Sequence, residues 1–220
     1  MLLVILLASY LLSAFLRERW IAELELGLFM VAGLLALRNS PVRHRGLRAV
    51  ISAGLLVSAV VIAISAAADT NAGHALAGIW TGILLLATVV LLLHQVLIMP
   101  TVTIQSIYGA VSAYLIIGLM FAAFYSAIYY LQGRAFFTGH EPSTLPTFQY
   151  FSFTTLTTLG YGDFTAAQTG GRAVAMIEAM TGQIFLATLV ARLVAAFRPR
   201  SRQAGLAAGP ANGPDTAGQE

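Results

Sequence analysis

Thr154-Thr155-Leu156-Thr157-Thr158-Leu159-Gly160-Tyr161-Gly162-Asp163 is the stretch that decides the fold. Hydroxyl residues lead into two glycines that flank a tyrosine, and an acid closes the run. Glycine accepts backbone dihedrals that a Cβ forbids. Alternating permissive and ordinary residues lets successive carbonyls face one axis. Four such strands around that axis would stack rings of carbonyl oxygens, with a ring of Thr158 hydroxyls at the inner end. Rings of that kind can replace the hydration shell of a cation.

The rest of the chain supplies a membrane setting for such a site. Of 220 residues, 58 % are hydrophobic and only 10 % are charged. A soluble domain carries about 25 % charged residues, so this is an integral membrane protein. The lack of cysteine excludes disulfides, thiol catalysis and cysteine metal sites. A net charge of +3 is too small to suggest nucleic acid as a partner. Every basic residue is an arginine, and most sit in short clusters at predicted membrane edges, where they carry orientation.

A helix that crosses a bilayer needs about 20 apolar residues. Runs over 1–16, 21–37, 49–67, 75–99, 107–131 and 173–197 predict six spans. The first is read as a retained helix, because it lacks the positive start and clear cleavage site of a signal peptide. Glu23 and Glu25 stand near the start of the second, beside the interface residue Trp20. Residues 147–158 are apolar and hydroxylic but too short to span, which suits a re-entrant half-helix. Pro146 fits the first turn of that half-helix, where its missing donor costs nothing. After Arg198 the chain turns to Gly, Ala and Pro and reads as disordered.

Arginine counts orient the spans. Arg38, Arg43, Arg45 and Arg48 share one loop, and Arg192, Arg198, Arg200 and Arg202 cluster at the end. Arg17, Arg19, Arg134 and Arg172 lie on the other side. The positive-inside rule therefore places both termini in the cytoplasm, as an even number of spans requires.

The quoted stretch resembles the signature of tetrameric pore-loop potassium channels, usually written T-x-x-T-x-G-Y-G-D. Thr155, Thr158, Gly160, Tyr161, Gly162 and Asp163 occupy every fixed position. Leu159 stands where valine or isoleucine is commoner, and its side chain is expected to point away from the ions. The resemblance implies that K+ binds at the carbonyls of Thr158, Leu159, Gly160 and Tyr161 and at the Thr158 hydroxyl, with Gly162 completing the filter. One filter strand per chain cannot encircle an ion, so the resemblance implies a homotetramer with closed symmetry. It divides the chain into a four-helix transmembrane region (1–105), a pore domain (106–198) and a disordered cytoplasmic tail (199–220). The expected fold is an all-α membrane protein with six transmembrane helices and a re-entrant pore helix and filter loop between helices five and six.

Further roles follow from the same resemblance. The C-terminal end of the half-helix should face the pore centre, where its partial negative charge stabilises a cation. Gly182 aligns with the hinge glycine of the inner pore helix; close helix packing is the other reading. At 3.6 residues per turn, Gln183, Leu186, Val190 and Val194 share one face, which the resemblance makes the cavity lining. Val194 or Phe197 then lies near the inner gate, and Arg192 on the opposite side snorkels to the cytoplasmic interface.

Five further residues, Asp163, Tyr150, Thr154, Thr155 and Glu178, are expected to support the filter. Asp163 should turn back behind it and needs a donor, because an unpaired buried charge is costly. Tyr150 carries one on a rigid ring. Related channels often have tryptophan at this position and sometimes add a glutamate, which aligns with Thr154; threonine cannot share a proton with Asp163 in that way. Glu178 is an acid inside a span, a functional candidate by default. Its expected partner is the back of the half-helix at Thr154 or Thr155.

A pore loop between spans five and six also looks like the voltage-gated architecture. Voltage sensing needs several arginines along one helix, and the fourth span has none. The likeness is therefore strong from about residue 108 to 198 and only topological before it. His44, His74, His94 and His140 lie at mismatched depths for a haem pair. No Ser-His-Asp order, nucleotide loop or metal spacing stands out, so neither an enzyme nor a resident cofactor is expected, only K+ as permeant ion. Partners are copies of the chain and membrane lipids, in the plasma membrane of a bacterial type of cell. The alternatives are a weakly selective cation channel, a subunit of a potassium transporter, or a non-conducting scaffold. Known transporters of that kind resemble four pore-loop repeats in one chain, and this chain has a single motif.

Overall fold

The computed structural model of the chain describes residue 60 and residues 70–98, 103–139 and 142–196. Four helices follow one another: α1 (Asn71–Ile98), α2 (Ile104–Gln132), α3 (Leu145–Leu156) and α4 (Thr169–Ala196). Three stretches are long and apolar enough to cross a membrane: Asn71–His94, Ser106–Gln132 and Thr169–Ala195. They correspond to the fourth, fifth and sixth predicted spans, and α3 to the half-helix. The first three predicted spans, Phe197 and the tail lie outside the described residues.

Capping chemistry sets the helix limits. The Thr103 hydroxyl accepts from the Ser106 N–H at 3.2 Å, so α2 starts before the predicted residue 107. It ends at Gly133, left-handed at φ 59, whose N–H donates to the Tyr129 carbonyl at 3.1 Å. The half-helix is displaced from its predicted range of 147–158 by two residues at each end. Thr144 precedes α3, and its N–H donates to Thr147 Oγ1 at 2.9 Å. Pro146 falls in the first turn, as its missing donor favours. At the other end Thr157 is the C-cap, and Thr158 at φ 57 cannot continue a right-handed helix.

Helix α2 is the centre of the packing and is mostly buried, whereas α4 is mostly exposed. Gly78 and Gly82, one turn apart on α1, face Ala127 and the Phe124 ring of α2. Small residues at such spacing let apolar helices approach closely. Around the outer end of α3 the core is aromatic. Tyr125 meets Phe151 at 5.0 Å between ring centroids, and Phe136 and Phe137 meet Phe148 at 5.3 and 5.5 Å. Aromatic pairs in such tilted geometry contribute roughly 0.5–1.5 kcal/mol each beyond their buried area. The loop after α2 and the loop before α4 close over this layer. Thr138 N–H donates to the Thr165 carbonyl at 3.0 Å, and Ala167 N–H to the Phe136 carbonyl at 2.8 Å. Arg172 Nε ties the start of α4 to the Ala166 carbonyl at 2.8 Å. These contacts fix the end of the α3–α4 segment that leads into α4.

Candidate functional site

That segment is the quoted stretch. Thr157 N–H still donates to the Phe153 carbonyl at 3.1 Å, and then the backbone changes hand. Thr158, Gly160 and Gly162 have φ of 57, 48 and 83, while Leu159 and Tyr161 between them stay at negative φ. Alternation of hand turns successive carbonyls toward the same side. Thr158 is the one non-glycine residue at positive φ among the described residues. For a β-branched residue this costs of the order of 1–3 kcal/mol and persists only where the surroundings enforce it. Here three backbone bonds enforce it. Thr158 N–H donates to the Thr155 carbonyl at 2.9 Å, and the N–H groups of Leu159 and Gly160 share the Thr154 carbonyl at 2.9 and 3.1 Å. Thr154 and Thr155 thus hold the strand through their backbone. The Thr154 hydroxyl turns back onto its own helix, donating to the Phe151 carbonyl at 3.0 Å.

A Cβ placed on Gly160 or Gly162 would meet nothing within 4 Å among the described residues. The left-handed φ, not crowding within the chain, is what calls for glycine at both positions. Leu159 and Tyr161 are also open, 55 % and 68 % exposed. Behind the strand, the Tyr150 hydroxyl donates to Asp163 Oδ2 at 2.8 Å, the contact expected from the sequence. Asp163 Oδ1 accepts from the Phe164 N–H at 3.0 Å, and the Phe164 ring meets Tyr150 edge-on at 5.4 Å. The carboxylate is therefore gripped through both oxygens.

Residues 111–198 match the ion channel family model. The match runs from within α2, through α3 and the glycine strand, and along α4, and it supports an ion channel of an all-helical membrane type. No curated protein and no solved structure matches the chain.

In this matched segment α4 crosses directly behind the end of α3. A Cβ on Gly182 would overlap the Leu156 carbonyl oxygen and lie 3.0 Å from Leu156 Cδ1. The same carbonyl accepts from the Tyr114 hydroxyl of α2 at 3.1 Å. Gly182 therefore serves a close backbone approach, in a helix that runs unbroken through it. One residue on, Gln183 Nε2 donates to Thr158 Oγ1 at 3.2 Å and so reaches the start of the glycine strand. Leu186, Val190 and Val194 continue below Gln183 and are exposed in the single chain.

Glu178 is fully buried, but its partners are not Thr154 or Thr155. Its Oε2 accepts from the Tyr125 hydroxyl at 2.5 Å, and its Oε1 lies 2.5 Å from Ser152 Oγ. The correction follows in part from helix periodicity. At about 100° per residue, Thr154 sits about 160° around α3 from Ser152, whereas Thr155 is only about 60° away, so periodicity by itself excludes Thr154. At Thr155 it is the Ser152 hydroxyl that meets the acid instead. Sequence reasoning missed Ser152, Tyr125 and Tyr114 as site residues. A signal for Tyr125 was present: it lies one turn inside the outer Tyr129–Tyr130 pair, and a buried acid needs a donor. No cluster of three metal-ligating side chains occurs among the described residues.

Proposed function

We propose that the chain is one subunit of a potassium-selective channel, with four subunits around a common axis, conducting K+ passively. The observation that carries this reading is the alternation of hand at Thr158, Gly160 and Gly162 within a complete T-L-G-Y-G-D run. Carbonyls of Thr158, Leu159, Gly160 and Tyr161 from each subunit replace the water that K+ sheds. The Thr158 hydroxyl forms the innermost ring, and Gln183 holds it in orientation. The C-terminal end of α3 directs its partial negative charge at the ion below the filter. Leu186, Val190 and Val194 line an apolar cavity, and Gly182 lets the inner helix approach the end of α3. Asp163, gripped by Tyr150, props the outer end of the filter.

Fourfold assembly is supported by the faces one chain leaves open. Ile177, Met180, Ile184, Val190 and Val194 on α4 and Tyr161 on the strand are all more than half exposed. Exposed apolar area of this extent marks an interaction surface or a lipid-facing one. Voltage plays no steep part: moving one charge through 100 mV is worth about 2.3 kcal/mol, and α1 carries no arginine or lysine to move. The protein resides in a plasma membrane with both termini cytoplasmic.

The deciding experiment uses purified chain in liposomes under opposed K+ and Na+ gradients. A reversal potential close to the K+ equilibrium value is expected. One that follows the Na+ gradient overturns the reading, and an intermediate value favours a weakly selective cation channel.

A further inference from the structure

The contact around Glu178 has a proton count. Three oxygen pairs lie at hydrogen-bond distance in a row. Tyr125 Oη is 2.5 Å from Glu178 Oε2, Glu178 Oε1 is 2.5 Å from Ser152 Oγ, and Ser152 Oγ is 2.6 Å from the Gly118 carbonyl of α2. Each pair needs one proton between its oxygens. Tyrosine brings one and serine brings one; a carbonyl brings none, and an ionised carboxylate brings none. An ionised Glu178 therefore leaves one pair as two bare oxygens pressed together. Tyr125, Ser152 and Glu178 are each fully buried, so water does not provide the missing proton.

We propose that Glu178 is a neutral carboxylic acid that donates its proton to Ser152, and that this donated bond positions the pore helix. With that proton the row is complete. Tyr125 donates to Oε2, the acid O–H donates to Ser152 Oγ, and the Ser152 hydroxyl donates to the Gly118 carbonyl. The surroundings agree with a neutral group. The titratable side chains that α2 turns toward Glu178 are Tyr125 and Tyr114, neither of them a cation. On α3 the contact is Ser152, and on α4 the flanking arginines, Arg172 and Arg192, lie more than a turn away. An uncompensated carboxylate in such a site is costly.

The row joins three helices at one point: α2 through Tyr125 and Gly118, α3 through Ser152, and α4 through Glu178. Ser152 is two residues from Thr154, whose carbonyl holds the strand. The consequence for conduction rests on the channel reading; the protonation state does not.

Infrared difference spectroscopy on the purified full chain in lipid tests it at neutral pH. The wild type should show a carbonyl band of a protonated carboxylic acid that Glu178→Gln lacks. Glu23 and Glu25 can also contribute such a band, so the assignment uses two neighbours. Ser152→Ala removes the acceptor and should shift the band to higher frequency, and Tyr125→Phe should shift it again. These two shifts decide the matter even if the glutamine variant does not fold. Glutamine reproduces the proposed pattern, an N–H toward Ser152 and a carbonyl toward Tyr125. It should therefore retain the K+/Na+ selectivity that Glu178→Ala loses. Absence of any acid band sensitive to positions 152 and 125 overturns the proposal, as does selectivity kept by Glu178→Asp but lost in Glu178→Gln. If the wild type passes no K+, the channel reading fails while the band still decides this one.

Discussion

Replacing Gly182 by alanine separates two roles for that residue. The added Cβ would overlap the Leu156 carbonyl oxygen and press on Leu156 Cδ1 at 3.0 Å. Overpacking costs typically 1–3 kcal/mol. The upper end applies here, because the obstacle is backbone at the end of α3 and the Tyr114 hydroxyl bonds the same oxygen at 3.1 Å. Alanine over glycine in a helix returns about 1 kcal/mol. The net loss is about 2 kcal/mol, which is of the order of a 30-fold shift in the folded-to-unfolded ratio. Because Thr157 and Thr158 follow Leu156 directly, a displaced carbonyl also carries the inner end of the strand with it. Unfolding of the purified variant in mixed micelles, titrated with a denaturing detergent, gives the stability difference. K+/Na+ reversal potentials give the effect on the strand. A variant as stable as wild type or more so, with unchanged selectivity, refutes the close-approach argument. If only its open probability changes, Gly182 acts as a hinge and not as a spacer.

Tyr150→Phe removes a bond to a charged acceptor, worth roughly 1.5–3 kcal/mol. Single-channel open times should shorten while the assembly stays intact; unchanged open times and selectivity would show that this bond does not hold the filter. Thr158→Ala deletes the innermost hydroxyl and leaves Gln183 Nε2 without its acceptor. Weaker K+ binding by calorimetry is expected, and equal affinity contradicts a coordinating hydroxyl. Native mass measurement in detergent should give a tetramer, and a stable dimer as the sole species rules out one strand per quarter-turn. Conductance in symmetric K+ should vary only shallowly with voltage; a steep sigmoid demands a sensor elsewhere in the chain.

What could be read from the sequence was whatever depends on local backbone chemistry. The T-L-G-Y-G-D run announces its glycines, and the structure shows left-handed φ at both. The three long helices follow from apolar length alone. The Tyr150–Asp163 pair, 13 positions apart, was legible through the resemblance, which sets a ring donor on the half-helix against the acid that ends the motif. The end of α3 was misjudged because threonines continue through it. Composition does not change where the hand of the helix does, and the left-handed Thr158 has no sequence marker of its own. Glu178 was recognised as unusual, but its partners depend on how α2 and α4 rotate against α3, which no single-helix pattern encodes. The aromatic layer of Phe136, Phe137, Phe148 and Phe151 draws on two segments separated by the helix start, and it was equally invisible.

The openness around Gly160 and Gly162 has a thermodynamic side. Thr158 holds an unfavourable dihedral, and on the strand's open face the described residues offer no packing that repays it. On the channel reading, what lies against that face is the permeant ion and the neighbouring strands. A ligand that binds only the native form stabilises it by mass action, about 2.7 kcal/mol when present at about 100 times its dissociation constant. That is comparable with the strain of roughly 1–3 kcal/mol at one such residue. The transported species is then also a folding ligand, and the conducting backbone conformation is linked to the concentration of the ion that passes through it.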